Sequence, residues 1–166
     1  MGRKSTKANK NIYQTSRESL GLTREAAAEI LGFISEDRIE KIESEKTLPH
    51  PEEILAMADG YKNPSLCNYF CSQVCPIGQK YVPKVKVKDL SQITVEMMVS
   101  LNNLNKNRDR LMEITVDGEI TEDEMTDFCN IQNELDKISQ TVDSLRLWVE
   151  GAIASGRIDK DLMERL

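Results

Sequence analysis

Residues 20–49 read LGLTREAAAEILGFISEDRIEKIESEKTLP, and the fold is decided there. Thr23 stands before Arg24, Glu25 and the alanines Ala26–Ala28, the pattern of an N-capped helix of high intrinsic propensity. Gly32 stops that helix with a turn that costs any residue with a Cβ more. Ser35, followed by Glu36 and Asp37, opens a second helix with acids in its first turn, where the helix dipole favours them. Ile39 and Ile42 give that helix one apolar face, which must turn back to a core.

Working outward, turn signals at Gly21, Gly32-Phe33, Pro49-His50-Pro51 and Asn63-Pro64 divide Ile12 to about Phe70 into four or five short helices. Pro51-Glu52-Glu53 opens the fourth with proline at its preferred first-turn position. Pro76-Ile77-Gly78 is expected to end this body, which then spans residues 11–78 behind a flexible basic arm, residues 1–10. Tyr81 to Lys88 alternates apolar and basic residues. Pro83 and the isolation of the stretch favour a Lys-rich extended linker, residues 79–88, over an edge strand.

Residues 89–166 are expected to form two long helices in an antiparallel, coiled-coil-like hairpin. Leu90, Met97, Leu101, Leu104 and Leu111 lie near heptad spacing in the first. Phe128, Ile131, Leu135, Ile138, Val142, Leu145, Val149 and Ala152 alternate steps of three and four in the second. A helix from Thr121 to Ala154 would run roughly 50 Å and cannot bury that seam alone. Its candidate partners are the first long helix, joined through Asp117-Gly118, and a second subunit. A short helix around Asp159–Leu166 follows. The expected fold class is all-α.

Composition narrows the function classes. Of 166 residues, 39% are hydrophobic and 30% charged, too apolar a mix for a disordered chain. No run of 18 apolar residues appears, so no membrane span is expected, and the basic start MGRKSTKANK lacks the apolar stretch of a secretory signal. A cytoplasmic location is the expectation. The net charge of −6 is uneven: residues 1–10 and 63–88 each carry +4, residues 11–62 carry −5 and residues 89–166 carry −9. Two acidic bodies alternate with two basic connectors, which leaves local phosphate contacts open.

The segment over about residues 11–62 resembles the phage-repressor (Cro/CI, or XRE) helix-turn-helix family. The resemblance rests on Leu22, Thr23, Glu25, Ala28, Leu31 and Gly32, then on Ser35, Ile39, Ile42, Glu43, Lys46 and Pro49. Ala28 is read as the small residue at the helix crossing. Three departures stand out: Phe33-Ile34 makes the turn one residue longer, Glu45 stands where glycine is common, and Arg24 replaces the usual glutamine. The resemblance implies a dimeric transcriptional regulator that binds double-stranded DNA. Arg3 and Lys4 of the arm, Arg24, Lys46, and Glu36, Asp37, Arg38 and Lys41 of the recognition helix would make the contacts. Carboxylates there also face a repelling phosphate backbone. The rival reading is a protein–protein adaptor that keeps the fold, with the helical tail as a further partner surface.

Other constellations are weaker. Cys67, Cys71 and Cys75 share a helix stripe, but a zinc site needs a second ligand pair, and buried reduced thiols are the simpler account. A redox-sensitive Cys71–Cys75 pair is a third option. Glu113 to Glu124 mimics a calcium loop with Glu113 where aspartate belongs; a turn at Asp117-Gly118 and a Thr121/Glu124 capping box explain it better. With one histidine, no Gly-rich phosphate loop and no nucleophile motif, neither an enzyme nor a bound cofactor is expected. Trp148, beside the seam, is expected to pack in the core or in an interface.

Overall fold

The computed structural model of the chain describes residues 10–165, and every regular element among them is a helix. The chain divides into two compact units: the residues through Lys84 together with Glu150–Leu166, and Val85–Val149. The arm residues Arg3 and Lys4 lie outside the described residues.

The first unit begins with α1 (Ile12–Ser19), α2 (Arg24–Leu31), α3 (Glu36–Glu43), α4 (Pro51–Gly60), α5 (Ser65–Gln73) and α6 (Pro76–Tyr81). Local chemistry sets their starts. The side chains of Asn11, Thr23 and Ser35 accept hydrogen bonds from the backbone N–H groups of Gln14, Ala26 and Arg38 at 3.0–3.2 Å. Glu53 accepts from the His50 N–H at 2.7 Å and so helps start α4. Each such cap stabilises its helix by about 1 kcal/mol.

Their inward faces meet in one core of Tyr13, Ala27, Leu31, Ile34, Ile39, Ile42, Ile54, Met57, Ala58, Tyr61 and Leu66. The small residue fully enclosed on α2 is Ala27. Ala28, expected in that role, is only partly buried, because Ala27 and Leu31 form the inward i, i+4 stripe. Pro76 opens a further helix where the sequence suggested an end. Gly78 makes this corner possible: a Cβ there would stand 2.1 Å from the Cys71 carbonyl oxygen.

The linker was expected over residues 79–88, but α6 runs on through Tyr81; residues 83–89 carry no regular structure, and the Asn68 side chain donates to the Pro83 carbonyl at 3.0 Å. The second unit holds α7 (Leu90–Lys106), α8 (Arg108–Ile114) and most of α9 (Met125–Ala154); α10 (Lys160–Glu164) belongs to the first unit. The single first long helix of the sequence reading is therefore two. Asn107 breaks it, its side-chain amide donating to the Asn103 carbonyl at 3.1 Å and competing with the backbone ladder.

Helix α9 starts at Met125 instead of Thr121. Thr121 and Glu124 do bond, but the Thr121 hydroxyl donates to the Glu124 carboxylate at 2.7 Å instead of accepting from its N–H, so only half of the expected box forms. Gly118, at φ +76°, makes the turn before it. Arg110 pairs with Asp127 at 2.7 Å and Asn103 donates to Glu134 at 3.3 Å, so α7–α8 and α9 run antiparallel.

The buried stripe of this hairpin differs from the expected seam. On α7 and α8 it runs through Ile93, Ser100 and Ile114, while Leu90 and Leu101 are exposed. On α9 it keeps Ile131 but leaves Leu135 exposed and buries Thr141, Ser144 and Leu147. Periodicity located the stripe to within one step; it did not say which flank turns inward.

Candidate nucleic-acid interface

Helices α2 and α3 are joined by Gly32, Phe33 and Ile34. Gly32 sits at φ +72°, and the two residues after it take opposite roles: Ile34 is buried in the core and Phe33 is exposed. The extra residue in the turn is thus absorbed by sending one large side chain inward and the other out. Ile39 and Ile42 fix α3 to the core, which leaves Glu36 and Asp37 exposed and Arg38, Glu40 and Lys41 partly so. After α3, Glu45 adopts φ 60°, the left-handed conformation that favours glycine. The backbone keeps the shape that a glycine would give it, at some cost in strain.

The cations of this unit have partners. Every Lys and Arg from Lys10 to Lys62 lies beside a carboxylate: Lys10 with Glu18, Arg17 and Arg24 with Glu43, Arg38 with Glu53, Lys41 with Asp37, Lys46 with Glu40, and Lys62 with Asp59, at 2.5–3.7 Å. These pairs fall into two kinds.

The Glu43 carboxylate, 1% exposed, accepts Arg17 on both oxygens and Arg24 on one. Arg17 also donates to the Leu22 carbonyl, which ties α1, the following turn, α2 and α3 together. Arg38 is held almost as firmly: both Glu53 oxygens accept from it at 2.7 Å, and it donates to the Thr47 hydroxyl and the Leu48 carbonyl. The Arg38 hydrogen bonds hold the Glu53 carboxyl below the ordinary range, against the opposing effect of burial. Arg38 is thereby a brace between α3 and α4, and Arg24 a brace between α2 and α3.

Lys41–Asp37 and Lys46–Glu40 are the second kind, with the lysines 45% and 62% exposed. Such surface pairs are worth about 0–1 kcal/mol, so either lysine can exchange its carboxylate for a phosphate at little cost. Among the described residues, Glu25, Glu29, Glu36, Glu45 and Glu52 are exposed and make no ion pair with a Lys or Arg. Of the residues named from the sequence, Lys41, Lys46, Glu36 and Asp37 lie exposed or half-buried on the surface of the motif, while Arg24, 33% exposed, and Arg38 bond to Glu43 and Glu53. The sequence reading overlooked Arg17, Glu43's second partner, and Glu53. A hint for Arg17 was available: it sits four residues after Tyr13, on the inward stripe of α1.

The remaining candidates resolve separately. Cys67 and Cys71 lie on α5 and Cys75 precedes α6; all three are partly buried free thiols. Burial, with the Glu150 carboxylate and Cys71 adding to it, pushes the Cys67 thiol up, away from the thiolate that metal binding or disulfide exchange requires. Among the described residues no three His, Cys, Asp or Glu side chains converge as a metal site would need. In the basic connector Lys88 pairs with Glu96 at 2.5 Å and Lys80 lies over the Tyr81 ring. Among the described residues no helix is long and apolar enough to cross a membrane.

A family model described as a helix-turn-helix domain matches residues 14–64, the span from α1 to the turn after α4. No curated protein and no solved structure matches the chain. Among the described residues every regular element is a helix, with an N-terminal helix-turn-helix domain and a long C-terminal helix.

Proposed function

We propose that this protein is a cytoplasmic DNA-binding transcriptional regulator of the phage-repressor type, acting as a homodimer and carrying out no catalysis. The observation that carries the reading is the helix-turn-helix match over residues 14–64, together with α3 held by Ile39 and Ile42 so that its other face stays open. Recognition helices of this kind enter the major groove, and a dimer reads two half-sites one helical turn apart.

The contacts divide by the kind of ion pair. Lys41 and Lys46 supply phosphate contacts, with Arg3 and Lys4 of the arm. Glu36 and Asp37 reach base edges, where a carboxylate accepts from cytosine N4 and rejects other bases. Arg24 and Arg38 position the helices that carry these groups. Selection of bound fragments from a genomic pool, at low and moderate salt, tests the reading. A shared palindromic sequence among the survivors supports it, and absence of any bound fragment at low salt overturns it.

A second reading is favoured by one observation, the five exposed acids on a surface whose lysines are already paired. Under it the head is an adaptor for a basic protein surface. The same selection separates the two, since an adaptor enriches no sequence.

A further inference from the structure

The turn between α2 and α3 holds one residue more than the pattern it resembles, and the two residues after Gly32 go opposite ways: Ile34 is 2% exposed and Phe33 68%. Within the matched span, residues 14–64, the aromatic residues are Phe33 and Tyr61, and Tyr61 is buried. Phe33 takes no part in the core of the head. The fold therefore does not account for a phenyl ring at this position.

The ring stands on a fixed base. Gly32 closes α2 at φ +72°, its N–H donating to the Ala28 carbonyl at 2.9 Å, and the Phe33 N–H donates to the Leu31 carbonyl at 2.8 Å. On the other side Ile34 is sunk in the core, and the Ser35 hydroxyl caps α3 by accepting from the Arg38 N–H at 3.2 Å. With its backbone tied on both sides, Phe33 has only its side-chain torsions to order when it meets a partner, which keeps the entropic cost of a contact low.

Position and chemistry identify that partner. Glu36 and Asp37, the first residues of α3, follow Phe33 by three and four places, and the N-terminal end of a recognition helix is the end that touches base edges. Three residues of chain span at most about 10 Å, so Phe33 lies within that reach of the base-reading carboxylates. The major groove presents hydrogen-bond donors, acceptors and one apolar group, the thymine C5 methyl. A phenyl ring suits only the last. We propose that Phe33 selects a thymine by packing on its C5 methyl, beside the bases that Glu36 and Asp37 read. The inference rests on the regulator reading above and deepens it, adding an apolar base contact at the residue by which this turn exceeds the family pattern.

An uncharged reader also fits the electrostatics of this surface. Carboxylates approach the phosphate backbone at a cost, whereas burial of a ring against a methyl group involves no charge and releases no counterions. Selection by Phe33 should therefore be the same at low and moderate salt, unlike the lysine contacts. The bound sequence should carry its thymine within about three base pairs of the cytosine read by the carboxylates, since base pairs rise 3.4 Å each. Leu48 and Leu55 are exposed apolar residues too, but one follows α3 and the other lies on α4, so neither stands at the base-reading end.

The test uses the full chain and a fragment retained in the genomic selection, rebuilt with each thymidine replaced singly by deoxyuridine. That change removes the methyl and leaves base pairing intact. In anisotropy titrations wild type should lose about four-fold in affinity at one thymidine per half-site, the contribution of one buried methyl group, and by the same factor at both salt concentrations. Phe33→Ala should bind the thymidine fragment more weakly and show no further loss at that position. Phe33→Leu should keep part of the discrimination and Leu48→Ala all of it. Helical circular dichroism should be unchanged in each, because both positions are exposed. A wild type indifferent to every deoxyuridine, or a Phe33→Ala that keeps the wild-type loss at the same thymidine, overturns the proposal. Either result leaves the regulator reading standing, since DNA is still bound; a selection that retains no fragment overturns that reading and this inference with it.

Discussion

The head and the hairpin solve opposite problems with the same kind of element. In the head, short helices of six to ten residues enclose a core of isoleucine, leucine, methionine and tyrosine, and its arginines brace the helices from within. In the hairpin, longer helices bury Ser100, Thr141 and Ser144 and expose Met98, Val99 and Leu101. The head encloses one largely aliphatic core and satisfies its buried charges, although Phe33, Leu48 and Leu55 stay exposed. The hairpin instead hides hydroxyls and leaves methionine and valine side chains at its surface. Helix length alone conveys none of this; the placement of polar residues does.

The largest effect is expected where the head is most self-contained. Glu43→Ala leaves Arg17 buried without its carboxylate and deprives Arg24 of its partner, so the head should lose about 3–5 kcal/mol in urea denaturation. A loss under about 1 kcal/mol, the worth of a surface pair, would mean that the arginines are solvated and that the contrast with the hairpin is overdrawn. Gly78→Ala should come next, at about 1–3 kcal/mol or more, since its Cβ would overlap the Cys71 carbonyl and push α6 from α5.

Acid should separate wild type from Glu53→Gln. The folded Glu53 carboxyl lies below its ordinary value of 4.5, so the stability it contributes is present above that pH and is lost as pH falls through the lower folded value. Thermal denaturation from about pH 6 to about pH 3 should show a shallower acid limb in Glu53→Gln than in wild type. The smallest effect is expected at Glu45→Gly, which relieves a left-handed residue and should raise stability by up to about 1 kcal/mol by the same urea measurement.

The sequence made the head legible because its signals are local. Thr23, Ser35 and Pro51 mark helix starts by chemistry that acts within one turn, and the structure starts α2 and α3 directly behind the first two and α4 at Pro51 itself. Glu45 was visible as an exception to a glycine position, and its backbone is left-handed. The site was less legible. Arg38 and Lys41 are three residues apart and both basic, yet one braces α4 and the other faces solvent. The difference lies in Glu53, fifteen residues beyond Arg38, and no local pattern announces a partner at that distance. The hairpin seam failed in a similar way: its period is local, but the flank that turns inward depends on where the opposite helix lies.

The central claim is that Lys41 and Lys46, and not Arg24 and Arg38, are the phosphate contacts of the helix-turn-helix motif. Its most direct measurement is the salt dependence of binding to a selected fragment, for wild type and for Lys41→Gln with Lys46→Gln. Wild type should show a steep linear fall of log affinity with log salt, and the double variant should bind more weakly with a slope shallower by about 2, one for each lost phosphate contact. An unchanged slope, with folding intact, would contradict the assignment.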